Sequence, residues 1–123
     1  MKRAAVILII LMTAVLSLRD AGSSAGAIKG IASWYSKDDP GILETTANME
    51  QFDDDQLTCA IWDLPFNTKL KVTNLENVKY VIVRVNDRGP AKRLNRTIDL
   101  TRQAFSQIAD LDKGLIEVSV EVL

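Results

Sequence analysis

Between Ile116 and Val122 apolar and polar positions alternate strictly. Ile116, Val118, Val120 and Val122 share one face, and Glu117, Ser119 and Glu121 share the other. That two-residue period predicts a half-buried strand. Lys69 to Thr73 alternates in the same way. Val78 to Val85 differs: Val81, Val83 and Val85 line one face, while the other carries Tyr80 and Ile82. This predicts a strand buried on both sides. Ile31 to Tyr35 reads as a further strand. Lys37 to Asn48, rich in Asp, Pro, Gly and Thr, reads as loop, and Asn86-Asp87-Arg88-Gly89-Pro90 as a turn. One helix is predicted, because Leu100, Ala104, Phe105, Ile108 and Leu111 recur at helical spacing. Asp99 or Thr101 can cap its start, and Asp112-Lys113-Gly114 ends it. Several short strands with one helix suggest a small closed barrel, which leaves no strand edge exposed.

The first residues follow a different pattern. Lys2 and Arg3 precede an apolar run from Ala4 to Leu16. This is the charged and apolar layout of an export signal, and the run is shorter than the roughly 20 residues of a spanning helix. Ser23-Ser24-Ala25 fits a small-residue cleavage site. The expectation is a signal peptide over residues 1–25 and a single domain over 26–123, exported to the periplasm or cell envelope. An uncleaved anchor is the alternative. No Cys stands close behind the apolar run, so no lipid anchor is expected.

Composition narrows the chemistry. Lys plus Arg is 15 and Asp plus Glu is 16, a net charge of −1, without the basic excess of a nucleic-acid binder. There is no His, which removes imidazole catalysis and His-ligated metals. The single Cys, Cys59, cannot close a disulfide within the chain and reads as a small buried hydrophobe. Asp53-Asp54-Asp55 reads as a solvated loop, since the ligand spacing of a calcium loop is absent. No metal or cofactor is expected, and the chain is expected to be a monomer.

From Gly30 onward the chain resembles the rare lipoprotein A family of bacterial cell-wall proteins. The matching segments stand in family order: Gly30-Ile-Ala-Ser-Trp-Tyr-Ser36, Thr46-Ala-Asn-Met-Glu50, Thr58-Cys-Ala-Ile61 with Leu64-Pro-Phe-Asn-Thr68, Lys71-Val-Thr-Asn-Leu75, Val83-Arg-Val-Asn-Asp-Arg-Gly-Pro90 and Ile98-Asp-Leu-Thr101. The resemblance covers nearly all of residues 30–123. It implies a mainly β fold, a six-stranded double-psi β-barrel with one short helix. It also implies endolytic cleavage of peptidoglycan glycan strands by lytic transglycosylation. Three departures stand out. Ile61 replaces the family's His, Met49 replaces a Gly, and neither the lipid-modified Cys nor the C-terminal peptidoglycan-binding domain of many members is expected.

Lytic transglycosylation breaks the bond between N-acetylmuramic acid and N-acetylglucosamine without water. The C6 hydroxyl of the muramic unit attacks its own anomeric carbon. The nucleophile is therefore already tethered. One carboxyl group can protonate the leaving oxygen and then accept the hydroxyl proton, where a hydrolytic glycosidase needs two. Asp87, at the junction of an apolar strand and a turn, is the candidate, and by resemblance it matches the catalytic Asp. Partial burial there would help it keep a proton. A structural turn role is the alternative. Glu50 matches an acidic residue of the same cleft and would orient substrate or assist proton transfer; its alternative is a solvated charge. Ile61 offers no donor or acceptor. Trp62 or Asp63 would have to compensate, and Asp63 shares the face of Ile61 only if a strand continues.

Four further residues are candidates for substrate binding. Trp34 and Tyr35 could line a sugar groove, though at least one is expected in the core. Arg84 and Arg88 could pair with substrate carboxylates, or with Asp87 or Asp99. The competing reading of function is a non-catalytic, expansin-like wall-binding module. A secreted inhibitor is a third, with only barrel size behind it.

Overall fold

A computed structural model describes residues 26–123. The expected signal peptide, and the boundary after Ala25, lie outside the described residues. Six strands are present: β1 (Ala27–Tyr35), β2 (Thr58–Ala60), β3 (Lys69–Asn74), β4 (Tyr80–Asp87), β5 (Ile98–Thr101) and β6 (Ile116–Val122). They close in the order β1-β5-β2-β4-β3-β6. β1/β5 and β2/β4 are parallel and the remaining pairs antiparallel.

Alternation decides which side chains fill the barrel. Leu70 and Val72 of β3, Val81, Val83 and Val85 of β4, and Val118 and Val120 of β6 point inward and are buried. The register sets Val72 beside both Val81 and Val120. The short helix α1 (Arg102–Ser106) packs on β5 and β1. It adds Ala104 and Phe105 to this core, followed by Ile108. Gly30 of β1 is required by close approach: a Cβ there would stand 2.0 Å from Thr97 Oγ1.

Three elements differ from expectation. Tyr80 and Ile82 are 55% and 41% exposed, because β4 is a barrel wall with solvent outside rather than the middle of a layered sandwich. The Lys71 ammonium stands over the Tyr80 ring at 4.5 Å, covering part of it with a charged arm. The predicted helix is shorter. Leu100 belongs to β5, and only Arg102–Ser106 is helical, with a separate 3-10 turn at Leu111–Lys113. The helical spacing arose because a strand and the helix after it feed one core. Thr101 is the cap: its hydroxyl accepts the Ala104 N–H at 3.3 Å and donates to the Gln56 carbonyl at 2.6 Å. Finally, Asn86 and Asp87 are strand residues, so the turn begins at Arg88.

Outside the barrel, the connection between β1 and β2 folds over the wall. Phe52 packs edge-on to Tyr35, ring centroids 4.7 Å apart, in a second small cluster with Ala60. Buried Asp54 anchors the connection by accepting from the Ser36 hydroxyl at 3.2 Å and the Lys37 N–H at 3.0 Å.

Candidate functional site

Four residues form one row across the outer wall. Ser33 of β1 pairs with Asp99 of β5, Asp99 with Ala60 of β2, and Ala60 with Asp87 of β4. Two carboxyls thus flank one small methyl group. In β5, Ile98 and Leu100 are fully buried in the core, so the two-residue period turns Asp99 outward.

Asp87 reaches this row only through an irregularity. Strict continuation of Val81, Val83 and Val85 would aim residue 87 at the core. The β2/β4 register shifts between Cys59, opposite Val85, and Ala60, opposite Asp87. This β-bulge inserts Asn86 and turns Asp87 outward. Asp87 is half-buried. Its Oδ1 accepts the N–H groups of Ala47 and Arg88, each at 2.9 Å, and its Oδ2 accepts the Tyr35 hydroxyl at 3.1 Å. Burial, then the charge of Asp87, push the Tyr35 hydroxyl far above its ordinary range, so it stays a donor.

Asp99 is the site residue that sequence reasoning passed over, taking it as a helix cap or a salt-bridge partner. Burial raises its pKa, and the negative charge of Asp87 adds to the rise; a hydrogen bond from Ser33 and the charge of Arg96 oppose it. It is the carboxyl in this row that burial favours in the protonated form. The signal was present in Ile98-Asp-Leu-Thr101, which alternates buried and outward positions once read as a strand.

Glu50 sits on the same side. The turn from Thr46 to Glu50 gives Asp87 its Ala47 N–H, and its Asn48 N–H donates to the Asn86 carbonyl at 3.3 Å. The Glu50 carboxylate receives both Arg84 guanidinium nitrogens, at 2.8 and 2.9 Å, and the Asn86 amide at 3.1 Å. These hydrogen bonds, Arg84's first, hold it down at about 2. Glu50 is therefore a charged brace for the turn that carries Ala47, and Arg84 is committed to it. Met49, which stands where the family has Gly, has φ 74°, and Asn67 has φ 70°. Asn tolerates this conformation, and Asn67 also accepts from Arg84 at 3.0 Å.

The remaining candidates divide. Tyr35 is in the site. Trp34, one position earlier, faces the other way, packs on the core and donates its indole N–H to the Leu111 carbonyl at 3.1 Å. The Arg88 guanidinium donates to the Ile61 carbonyl at 3.0 Å and lies over Phe66 at 4.0 Å. Among the described residues neither Arg84 nor Arg88 forms a salt bridge with Asp87 or Asp99. The Ile61 side chain is 6% exposed and belongs to the core cluster. β2 ends at Ala60 and Asp63 has φ 67°, so Asp63 does not continue the face of Ile61. Cys59 is fully buried, and burial pushes its thiol up to about 12, consistent with an inert filler. Among the described residues no cluster of side chains is arranged to hold a metal ion.

Comparison with known proteins adds to this geometry. The profile of a family described as lytic transglycolase matches residues 27–120. The chain is 50% identical over 95 residues to the endolytic peptidoglycan transglycosylase RlpA of Campylobacter jejuni, a match covering 76% of this chain and 33% of that protein. It is 42% identical over 115 residues to the probable endolytic peptidoglycan transglycosylase RlpA of Synechocystis, covering 92% and 35%. The chain thus spans about a third of the length of these curated relatives. Among solved structures, Streptomyces papain inhibitor superposes with a TM-score of 0.64 at 23% identity, over 80% of this chain and 96% of that one. An expansin of Clavibacter michiganensis gives 0.61 at 21% identity, over 79% and 50%. At these identities the likeness is one of fold, and the closed barrel described above is a double-psi β-barrel.

Proposed function

Because this chain belongs to the lytic transglycolase family, we propose that it cleaves the bond between N-acetylmuramic acid and N-acetylglucosamine in peptidoglycan strands, leaving 1,6-anhydro ends. The observation that carries this reading is the outward-facing Asp87, held by three donors and separated from Asp99 by β2. The C1–O4 bond breaks and a C1–O6 bond forms. One proton must reach O4 and one must leave O6, so no net proton is consumed. Asp87 exchanges protons with the substrate. Asp99, on the other side of Ala60, is the carboxyl whose neutral form burial favours. Tyr35 fixes the Asp87 carboxyl from one side and the Ala47 and Arg88 N–H groups from the other. Such positioning supports intramolecular attack, for which effective molarity does much of the work.

Glu50 acts at a distance in this reading, through the 46–50 turn. The site is proposed to act in the cell envelope, a reading supported by the Lys2-Arg3 and Ala4–Leu16 pattern.

A second reading is binding without cleavage. It is favoured by one feature, Ile61, whose side chain brings no polar group to the site. Mass spectrometry of purified glycan strands treated with the protein separates the two. Cleavage gives 1,6-anhydromuramic ends that vanish in Asp87→Asn. Strand retention without such ends would leave a binding module.

A further inference from the structure

Trp62 is 38% exposed, and the fold holds its ring in place. Its indole N–H donates to the Pro90 carbonyl at 2.6 Å. The residue before it is fastened to the site itself, because the Ile61 N–H donates to the Asp87 carbonyl at 3.3 Å. The ring therefore rides on the Asp87–Pro90 segment that ends β4. The Lys92 ammonium stands over it at 5.3 Å, at the start of a 3-10 turn. Lys92 is exposed and pairs with no carboxylate among the described residues. From Arg88 to Thr97 the sequence carries Arg88, Lys92, Arg93 and Arg96 and no acid, in a chain whose net charge is −1. An oriented, part-exposed indole with an ammonium over one face, paired with no carboxylate among the described residues, suits on its other face a ring that is apolar on one side and carries a negative group.

We propose that Trp62 and Lys92 form a saccharide subsite beside Asp87. Trp62 stacks on a pyranose ring and Lys92 pairs with a carboxylate carried by that sugar or by the peptide attached to it. Resting on the reading of glycan strands as substrate, the subsite would hold a muramic unit in line with the two carboxyls. The hydrogen bond to Pro90 removes one rotation from the indole before ligand arrives, which lowers the ordering cost of binding.

The test is binding, read in the full chain carrying Asp87→Asn so that cleavage plays no part. Three probes are titrated: chitohexaose, which has no carboxylate; peptide-free glycan strands, which have lactyl carboxylates; and soluble peptide-bearing strands. Trp62→Ala should weaken all three about tenfold, and Trp62→Phe, which keeps an aromatic face, about threefold or less. Lys92→Ala should leave chitohexaose unchanged and weaken a carboxylate-bearing probe by about threefold or more. Loss on peptide-free strands assigns the lactyl group, and loss only on peptide-bearing strands assigns the peptide. The chain has two Trp residues, and Trp34 is packed on the core. Strands should therefore shield Trp62 emission from iodide in the protein with both tryptophans intact, a measurement that needs no Trp62 variant to fold. Undiminished binding by Trp62→Ala, or no shielding, would overturn the subsite. Equal Lys92→Ala losses on all three probes would overturn the carboxylate assignment. Binding through Trp62 without anhydro products from the Asp87-bearing protein would instead refute cleavage and leave the subsite standing.

Discussion

Asp87 and Asp99 bracket the same residue, Ala60, one as its parallel partner on β4 and the other as its antiparallel partner on β5. Each is set there by a separate strand, yet burial and Asp87's charge together raise the pKa of Asp99. Asp99 should therefore appear in the pH dependence of cleavage. Asp87→Asn should lower product formation by about a hundredfold or more. Asp99→Asn should lower it too and flatten the fall in rate seen as pH rises through the raised Asp99 value. A rate profile unchanged by Asp99→Asn would remove that residue from the proton inventory.

The same residue makes a stability prediction of opposite sign. A carboxyl whose pKa is raised by folding stabilises below its unfolded range, and that contribution disappears as pH rises through the folded value. Near neutral pH, Asp99→Asn should therefore be as stable as the parent or more so, by up to ~1 kcal/mol, since Ser33 can still donate to the amide oxygen. Below about pH 4 the advantage should vanish. Chemical denaturation at the two pH values measures the difference.

Glu50 behaves in the other direction. Its pKa is lowered to about 2 by Arg84 and Asn86, so its contribution is present above its unfolded value and is lost as pH falls toward 2. The side chain is 38% exposed, and solvent screening limits the ion pair to ~1 kcal/mol or less. Glu50→Gln should remove this acid-side loss of stability. It should also loosen Ala47 from Asp87, lowering cleavage with little change at the barrel core. Amide exchange at Ala47 would read that loosening directly.

Tyr35→Phe isolates the hydroxyl that holds Asp87 Oδ2. The ring keeps its edge contact with Phe52, so stability should change by about 1 kcal/mol at most, while cleavage should fall about tenfold or more through lost positioning. Equal losses in stability and rate would make Tyr35 purely structural.

Two backbone positions give tests independent of chemistry. Met49→Gly relieves a left-handed conformation at an exposed side chain and should be neutral or stabilising by ~1 kcal/mol. Gly30→Ala forces a methyl against Thr97 and should cost ~2 kcal/mol or more. Thermal melts of both variants check these signs.

The strands were legible where one face meets the core and the other meets water. Ile116–Val122 needed nothing more than its alternation. Val78–Val85 misled on its outer side because Tyr80 and Ile82 are apolar in composition, and local pattern does not say whether a second layer exists. Leu100 misled because its spacing to Ala104 and Phe105 is helical, although only the latter two lie on a helix. The family motifs located Asp87 and the Glu50 turn, but the bulge that aims Asp87 outward is a register between β2 and β4, a property of two distant segments. Asp99 was hidden for a similar reason: its partners, Ser33 and Ala60, lie far away in sequence.

β1 is paired along Ala27–Ala32 with β6 and along Ala32–Tyr35 with β5, so both neighbours of the first strand come from the end of the chain. During synthesis, Ala32–Tyr35 has no partner until Ile98–Thr101 has emerged, and Ala27–Ala32 has none until Ile116–Val122 has. Such wide separation slows closure. Closure of the barrel thus waits for the last strand, and a chain stopped before Ile116 would leave the first half of β1 and one side of β3 unpaired.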